Sequence, residues 1–255
     1  MVIAAVPEGM LPKAWWIFQN NIPLLWYGIK ITLMLAVLGT FFGLLIGLVL
    51  GGVRAIKIEP RDRMPIRIVK RILHSIVAVY VWFFRGTPMM VQAMFLYYAL
   101  RPYLGWSANV AGVVIISVNT GAYMSEIIRA GIQSIDKGQI EAARSLGMTN
   151  TQTMTAIVLP QAIRNSFPSL GNELIVNIKD SSMLNVIGVM ELFFQSSSVA
   201  GSMMLFTETF LSTCVIYLLL TSAATLLLTW IEKRLHMPKT SFPTSQSVPK
   251  AGDLA

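Results

Sequence analysis

The sequence predicts an all-α membrane protein of five transmembrane helices, N-terminus outside and C-terminus inside, with a helical elbow on the cytoplasmic side. Three observations predict it. Of the 255 residues, 55% are hydrophobic and only 13% are charged, about half the charged share of a soluble domain. The apolar residues gather in runs of about 20 or more, long enough to cross a hydrocarbon core. Lys and Arg crowd the segments between alternate runs, which sets orientation by the positive-inside rule. Arg54, Lys57, Arg61, Arg63, Arg67, Lys70 and Arg71 follow the first run; Arg129, Lys137, Arg144 and Arg164 follow the third; Lys233, Arg234, Lys239 and Lys250 follow the fifth. The opposite side shows only Lys13 and Arg101. The net charge of +8 therefore belongs to a membrane pattern. It forms no aromatic-interleaved patch of the kind that binds nucleic acid, and no nucleic-acid partner is expected.

Residues 1–21 read as an external segment, 22–236 as the membrane domain and 237–255 as a disordered, Pro/Ser/Thr-rich cytoplasmic tail. Glu8 and Pro7 in the first residues, and the length of the first run, argue for a retained anchor rather than a cleaved signal. The first run, Ile22–Val53, carries Gly39, Gly43, Gly47 and Gly51 at every fourth position. That stripe predicts close packing against another span, of this chain or of a second copy.

The second run, 72–100, is about 43 Å long as one helix, against about 30 Å of hydrocarbon. It is interrupted at FFRGTPMM. Thr87 is expected to cap a new helix opening at Pro88, with the break within or near the outer half of the membrane. Arg85 beside that helix start has two readings. It favours an anionic group such as an α-carboxylate, or it pairs with a neighbouring carboxylate.

The third run, Asn109–Ile128, carries a polar stripe of Asn119, Thr120 and Tyr123, candidates for lining a pathway. Glu126 and Arg129 follow at a spacing that allows an ion pair. The elbow, about 136–160, reads DKGQIEAARSLGMTNTQTMTAIVLP. Asp136 with Gln139, and Thr149 with Gln152, look like capping boxes. Gly147 suits a left-handed helix end, and Pro160 interrupts or restarts a helix.

The fourth run, Ser169–Phe194, is studded with Glu173, Asn177, Lys179, Asp180, Ser181 and Ser182. Ionisable residues are costly at mid-membrane and face an interior or water. A zwitterionic solute needs an acceptor for its ammonium, which Glu173 or Asp180 supplies. It also needs donors for its carboxylate, which Lys179, Asn177, Ser181 and Ser182 supply. An internal ion-pair network is the competing reading. The fifth run, Leu205–Ile231, holds the single cysteine, Cys214, expected as a small core residue. One cysteine builds neither a disulfide framework nor a Cys-based metal site. His74 and His236 fall at span boundaries. No P-loop, HExxH, GxSxG or catalytic carboxylate pair occurs, so no catalytic residue, cofactor or metal is expected.

Glu141, Ala142, Ala143, Gly147, Ile157, Leu159 and Pro160 match E-A-A-x3-G-x9-I-x-L-P at every fixed position. This resembles the signature of ABC-importer permeases. RGTPMMVQ, YMSEIIRAGI, IEAARSLGM, IVLPQAIRNSFP and NIKDSSM resemble the polar amino-acid uptake branch of that family, over about Asn20 to Lys233. The resemblance implies that the seven elbow residues dock into a separate ATP-binding cassette subunit. It also implies a second permease copy or paralogue, an extracytoplasmic amino-acid-binding protein, and a place in the lipid of the bacterial cytoplasmic (inner) membrane. A solute pocket is implied around Asn172-Glu173 and Lys179-Asp180-Ser181. The residues alone also allow an ion-gradient-driven transporter with Glu173 or Asp180 as the coupling carboxylate. They do not select the amino acid moved.

Overall fold

The computed structural model describes residues 7–56, 58 and 63–235. The tail expected from 237 onward, and His236, lie outside the described residues. All regular structure among the described residues is helical. A short helix, α1 (Met10–Asn20), lies within the segment expected to be external. It packs along the last helix among the described residues, α10 (Phe206–Arg234). Lys13 Nζ stands 3.9 Å from Glu208 Oε1, and Ser212 Oγ donates to the Ala14 carbonyl at 2.9 Å.

Pro23 in the first turn opens α2 (Ile22–Ala55), a 34-residue helix. Its glycine stripe is matched by α5 (Ala108–Gln133). Gly39 meets Ile116, Gly43 meets Thr120, Gly47 meets Met124 and Gly51 meets Ile128. Each step of four on one helix answers a step of four on the other, in the same direction, so α2 and α5 run parallel. A Cβ on Gly43 would stand 2.8 Å from Thr120 Cβ, and one on Gly47 2.6 Å from Met124 Cβ. Only glycine permits this approach. The partner of the stripe is thus a span of the same chain.

Two parallel neighbours require a return between them. That return is the second run, divided into α3 (Met64–Gly86) and α4 (Met89–Leu104). His74 Nε2 lies 3.0 Å from the Val53 carbonyl, so the first turns of α3 reach past the basic end of α2. Ser107 caps α5, accepting from Val110 N–H.

After α5 comes the elbow: α6 (Lys137–Ser145), α7 (Asn150–Thr153), a π-helical turn at Met154–Val158, and then α8 (Leu159–Asp180). Pro160 therefore sits in the first turn of a continuing helix. It has no N–H, and its ring crowds the carbonyl four residues back. The wider turn absorbs the misfit, with Leu159 N–H bonding the Met154 carbonyl.

The fourth run is not one straight span. At Ser181 it tightens into a 3-10 turn, Ser181–Ile187, and ends at Gly188, whose φ of 84° is left-handed. It resumes as α9 (Leu192–Met203), 58° off the preceding axis. Glu191, fully buried, caps α9 by accepting from Phe193 and Phe194 N–H at 2.7 and 2.8 Å, and Tyr217 donates to it at 3.1 Å. This capping carboxylate explains why a charge sits inside an apolar run.

Five crossings are the expectation. Among the described residues three helices, α2, α5 and α10, are long and apolar enough to cross a membrane, and the bent pair of residues 150–187 with Leu192–Met203, taken as one span, makes a fourth. The run at 72–100 is not among them, because its break leaves two shorter pieces and the first turns of α3 are basic. Cys214 also departs from expectation: it is exposed on α10, not in the core.

Candidate functional site

The elbow is built to stay rigid. Asp136 caps α6 through Gly138 N–H at 2.6 Å, so its partner is not Gln139 and the expected box there does not form. At the far end Gly147, φ 83°, closes the helix: Gly147 N–H bonds the Arg144 carbonyl and Met148 N–H the Ala143 carbonyl. Both bonds of a left-handed stop are present. The second box forms as expected, Thr149 with Gln152. Arg144 bridges to Asn150 at 2.8 Å, tying α6 to α7, and Gln161 bridges to Gln139 at 2.7 Å, tying α6 to α8. A cavity of about 550 Å³ separates the elbow from the ends of α2 and α5.

The seven signature residues divide. Glu141, Ala142, Gly147, Leu159 and Pro160 are exposed and Ile157 is half-buried. Ala143 is buried at 4% exposure, so it packs the elbow and is closed to an outside partner. Leu146, outside the signature, stands 84% exposed at the tip. An apolar side chain in that position marks a contact surface.

At the break, Thr87 does not cap the new helix. Pro88 occupies the capping position with no side-chain bond, and Thr87 Oγ1 donates back to the Phe83 carbonyl at 2.8 Å, ending α3. Gln92 supplies what the break lacks. Its Nε2 donates to the Phe84 carbonyl (3.0 Å), the Thr87 carbonyl (2.9 Å) and Thr87 Oγ1 (2.7 Å). Its Oε1 accepts from Asn119 at 2.9 Å, and Asn119 also reaches the Phe84 carbonyl at 3.3 Å. Carbonyls freed at the end of α3 are thereby satisfied without water. Asn119 lies near the middle of α5, so the break stands level with the middle of that helix. Counted from His74, level with the end of α2, Arg85 is about 17 Å along α3.

Below the break, one carboxylate gathers three guanidinium groups. Glu126 pairs with Arg54 of α2, with Arg129 of its own helix at 2.8 Å, and with Arg85 of α3 at 3.7 Å. The Arg85 head also lies 5.4 Å above the Tyr123 ring. Of the two readings of Arg85, the structure places it beside a carboxylate.

The fourth-span residues separate in the same way. Asn177, buried, donates to Thr40 at 2.9 Å and accepts from Thr120 at 3.0 Å, so Asn177 and Thr120 join α2, α5 and α8. Ser181 and Ser182 spend their hydroxyl protons on the Ile178 and Lys179 carbonyls. Lys179 is exposed and lines a groove of about 470 Å³ with Thr221, Ser222 and Thr225. Glu173 and Asp180, both half-buried, accept no hydrogen bond among the described residues. Three charged heads, Glu173, Lys179 and Asp180, thus make no side-chain hydrogen bond among the described residues and stand around a scaffold of Asn119, Thr120 and Asn177.

Residues 65–237 match the family described as "Binding-protein-dependent transport system inner membrane component". The chain belongs to this family. A transport component of this kind is similar to the "Probable amino-acid permease protein YxeN" of Bacillus subtilis (strain 168), at 34% identity over 88% of this chain and 96% of the relative. It is similar to the "Glutamine transport system permease protein GlnP" of Escherichia coli (strain K12), at 36% identity over 88% and 98%. Among solved structures, the one described as "Crystal structure of an amino acid ABC transporter with histidines" superimposes with a TM-score of 0.74, at 35% identity over 89% and 99%. This inner membrane component holds its site together with three residues to which sequence reasoning gave no such role. Gln92 was visible as a long amide four positions after a helix-breaking proline. Arg54 counts in the sequence only as an orientation charge, and Glu191 is hidden by the apolar residues around it.

Proposed function

We propose that this chain is the membrane-embedded permease subunit of an ATP-driven importer of polar amino acids, moving its solute by alternating access. The importer function follows the family and the amino-acid transport relatives. ATP is hydrolysed on a separate subunit, to which the elbow docks. The elbow carries this reading. It is braced to α8 through Gln139–Gln161, and α8 is tied in turn to the end of α5 through Ser134–Asn165, yet the elbow presents Glu141, Ala142 and Leu146 outward. A braced surface that serves no contact in its own chain suits a load-bearing contact with another.

Five crossings with an external N-terminus fit the parallel α2 and α5, since one crossing, α3 with α4, then lies between them. A second permease chain, identical or related, completes the pathway, and an extracytoplasmic binding protein delivers solute. Glu173, Lys179 and Asp180 are the solute-facing heads in this reading. Glu173 or Asp180 takes the ammonium and Lys179 takes the carboxylate, while Asn177, Ser181 and Ser182, whose side chains donate to Thr40 and to the Ile178 and Lys179 carbonyls, form the wall behind them. Arg85, Thr87, Asn119, Thr120 and Tyr123 shape the pathway wall.

Replacing Leu146 with Glu is expected to abolish co-purification of the ATPase subunit and to reduce ATP-dependent uptake at least about tenfold, the scale of losing an apolar anchor, while membrane insertion is unchanged. Full uptake by an inserted L146E complex overturns the docking assignment. Uptake that collapses with an ionophore while ATP is maintained overturns the ATP-driven reading.

A further inference from the structure

Glu126 is oversupplied. Three arginines from α2, α3 and α5 converge on its one carboxylate. Excess positive charge in a partly buried cluster is costly. Of the three, Arg85 is held least firmly: its distance, 3.7 Å, exceeds hydrogen-bond range, and its side chain is 44% exposed. Arg129 makes two hydrogen bonds to the same oxygen, at 2.8 and 3.1 Å, and Arg54 is in contact with the other.

An acid that accepts no hydrogen bond among the described residues lies nearby. Helix α8 runs antiparallel to α5, with Ser166 against Gly131 and Asn177 bonded to Thr120. That register places Glu173 opposite Met124, at the depth of the Tyr123 ring on which Arg85 rests. Glu173 accepts no hydrogen bond among the described residues and lies within electrostatic reach of Arg85. The two acids stand on different helices, and those helices are the ones the elbow joins. Any displacement of the elbow that slides α8 against α5 changes which acid is nearer to Arg85.

We infer that Arg85 is a partner-switching latch, paired with Glu126 in this conformation and with Glu173 in the opposite one, so that the exchange reports elbow position to the break at Gly86–Pro88. The inference rests on the importer reading. Arg85 is here a positioning residue, acting on the hinge between α3 and α4 and not on solute.

The test uses the complete importer in vesicles, with its ATPase subunits, partner permease and binding protein. Basal ATP hydrolysis is measured for E126Q and E173Q, each with Arg85 intact and with R85Q. Removing one of two competing partners shifts a two-state equilibrium toward the other. The two substitutions are expected to move basal hydrolysis in opposite directions, each by about threefold or more, and both shifts are expected to vanish in the R85Q background. E126D, which keeps the charge but shortens the reach, is expected to move it as E126Q does, by less; it carries the test if E126Q does not assemble. Shifts in the same direction, or shifts that persist without Arg85, overturn the switch. ATP-dependent uptake by the unmodified complex in the same vesicles reports separately on the importer reading.

Discussion

Gln92 decides whether the broken span holds together. A proline at position 88 leaves the last carbonyls of α3 without intrahelical donors, and buried carbonyls need another partner. One amide reaches the Phe84 and Thr87 carbonyls and is itself oriented by Asn119. Gln92→Leu keeps the volume and removes the donors. It is expected to destabilise the purified protein by about 1–3 kcal/mol, the usual cost of orphaned buried carbonyls, read as a lower midpoint of thermal unfolding in detergent. Gln92→Glu retains an acceptor for Asn119 but lacks the donors, and is expected to resemble Leu. Asn119 and Thr120 were legible from sequence as a polar stripe, but the stripe reads equally as pathway or scaffold. What decides is the partner, and Gln92 and Asn177 are 27 and 57 positions away. Charges were harder still. Glu126 with Arg129 was legible from helical spacing, whereas Arg54 and Arg85 reach the same carboxylate only because α2 and α3 pack where they do.

Among elements, the α2–α5 pair makes the most specific demand on sequence. Gly47 and Gly52 are both glycines of one helix, with opposite surroundings. A Cβ at Gly47 meets Met124 at 2.6 Å, and a Cβ at Gly52 meets nothing within 4 Å. Gly47→Val is expected to cost about 1–3 kcal/mol by overpacking, whereas Gly52→Ala stabilises by about 0.5–1 kcal/mol through helix propensity. Chemical or thermal unfolding of the two variants separates them, and equal effects would show that the contact is not as close as described. A repeat of small residues at four-residue spacing announces a close contact but names no partner, and so the alternative of a second copy stayed open until the fold was seen. The elbow was the most legible element. Its caps and its glycine stop are local chemistry, and local chemistry survives without tertiary information. Its one failure, the absent box at Asp136, goes with two other bonds: the Asp136 carboxylate accepts from Gly138 N–H, and the Gln139 side chain accepts from Gln161 of α8.

At the scale of the whole molecule, the order of helices, the basic ends and the elbow were all readable, because hydropathy and charge are summed over many residues. The bends were not. The fourth run looked continuous since the start of α9 is fixed from other helices: Tyr217 donates to the buried Glu191 cap, and Thr32 accepts from Leu192 N–H. Orientation has a direct measurement. In a Cys214→Ser background, Ser107→Cys is expected to react with a membrane-impermeant thiol reagent in intact cells, and Ser145→Cys only after permeabilisation. The reverse pattern would invert the topology proposed above.

Because the glycine seam keeps α2 and α5 in register over four successive contacts from Gly39 to Gly51, the two helices behave as a single laminated beam. A load applied where α5 enters the elbow is carried along the beam undivided and cannot be dissipated by shear between its halves. The compliance of the subunit is left to the pieces outside it: the jointed α3–α4 rod and the kinked α8–α9 arm.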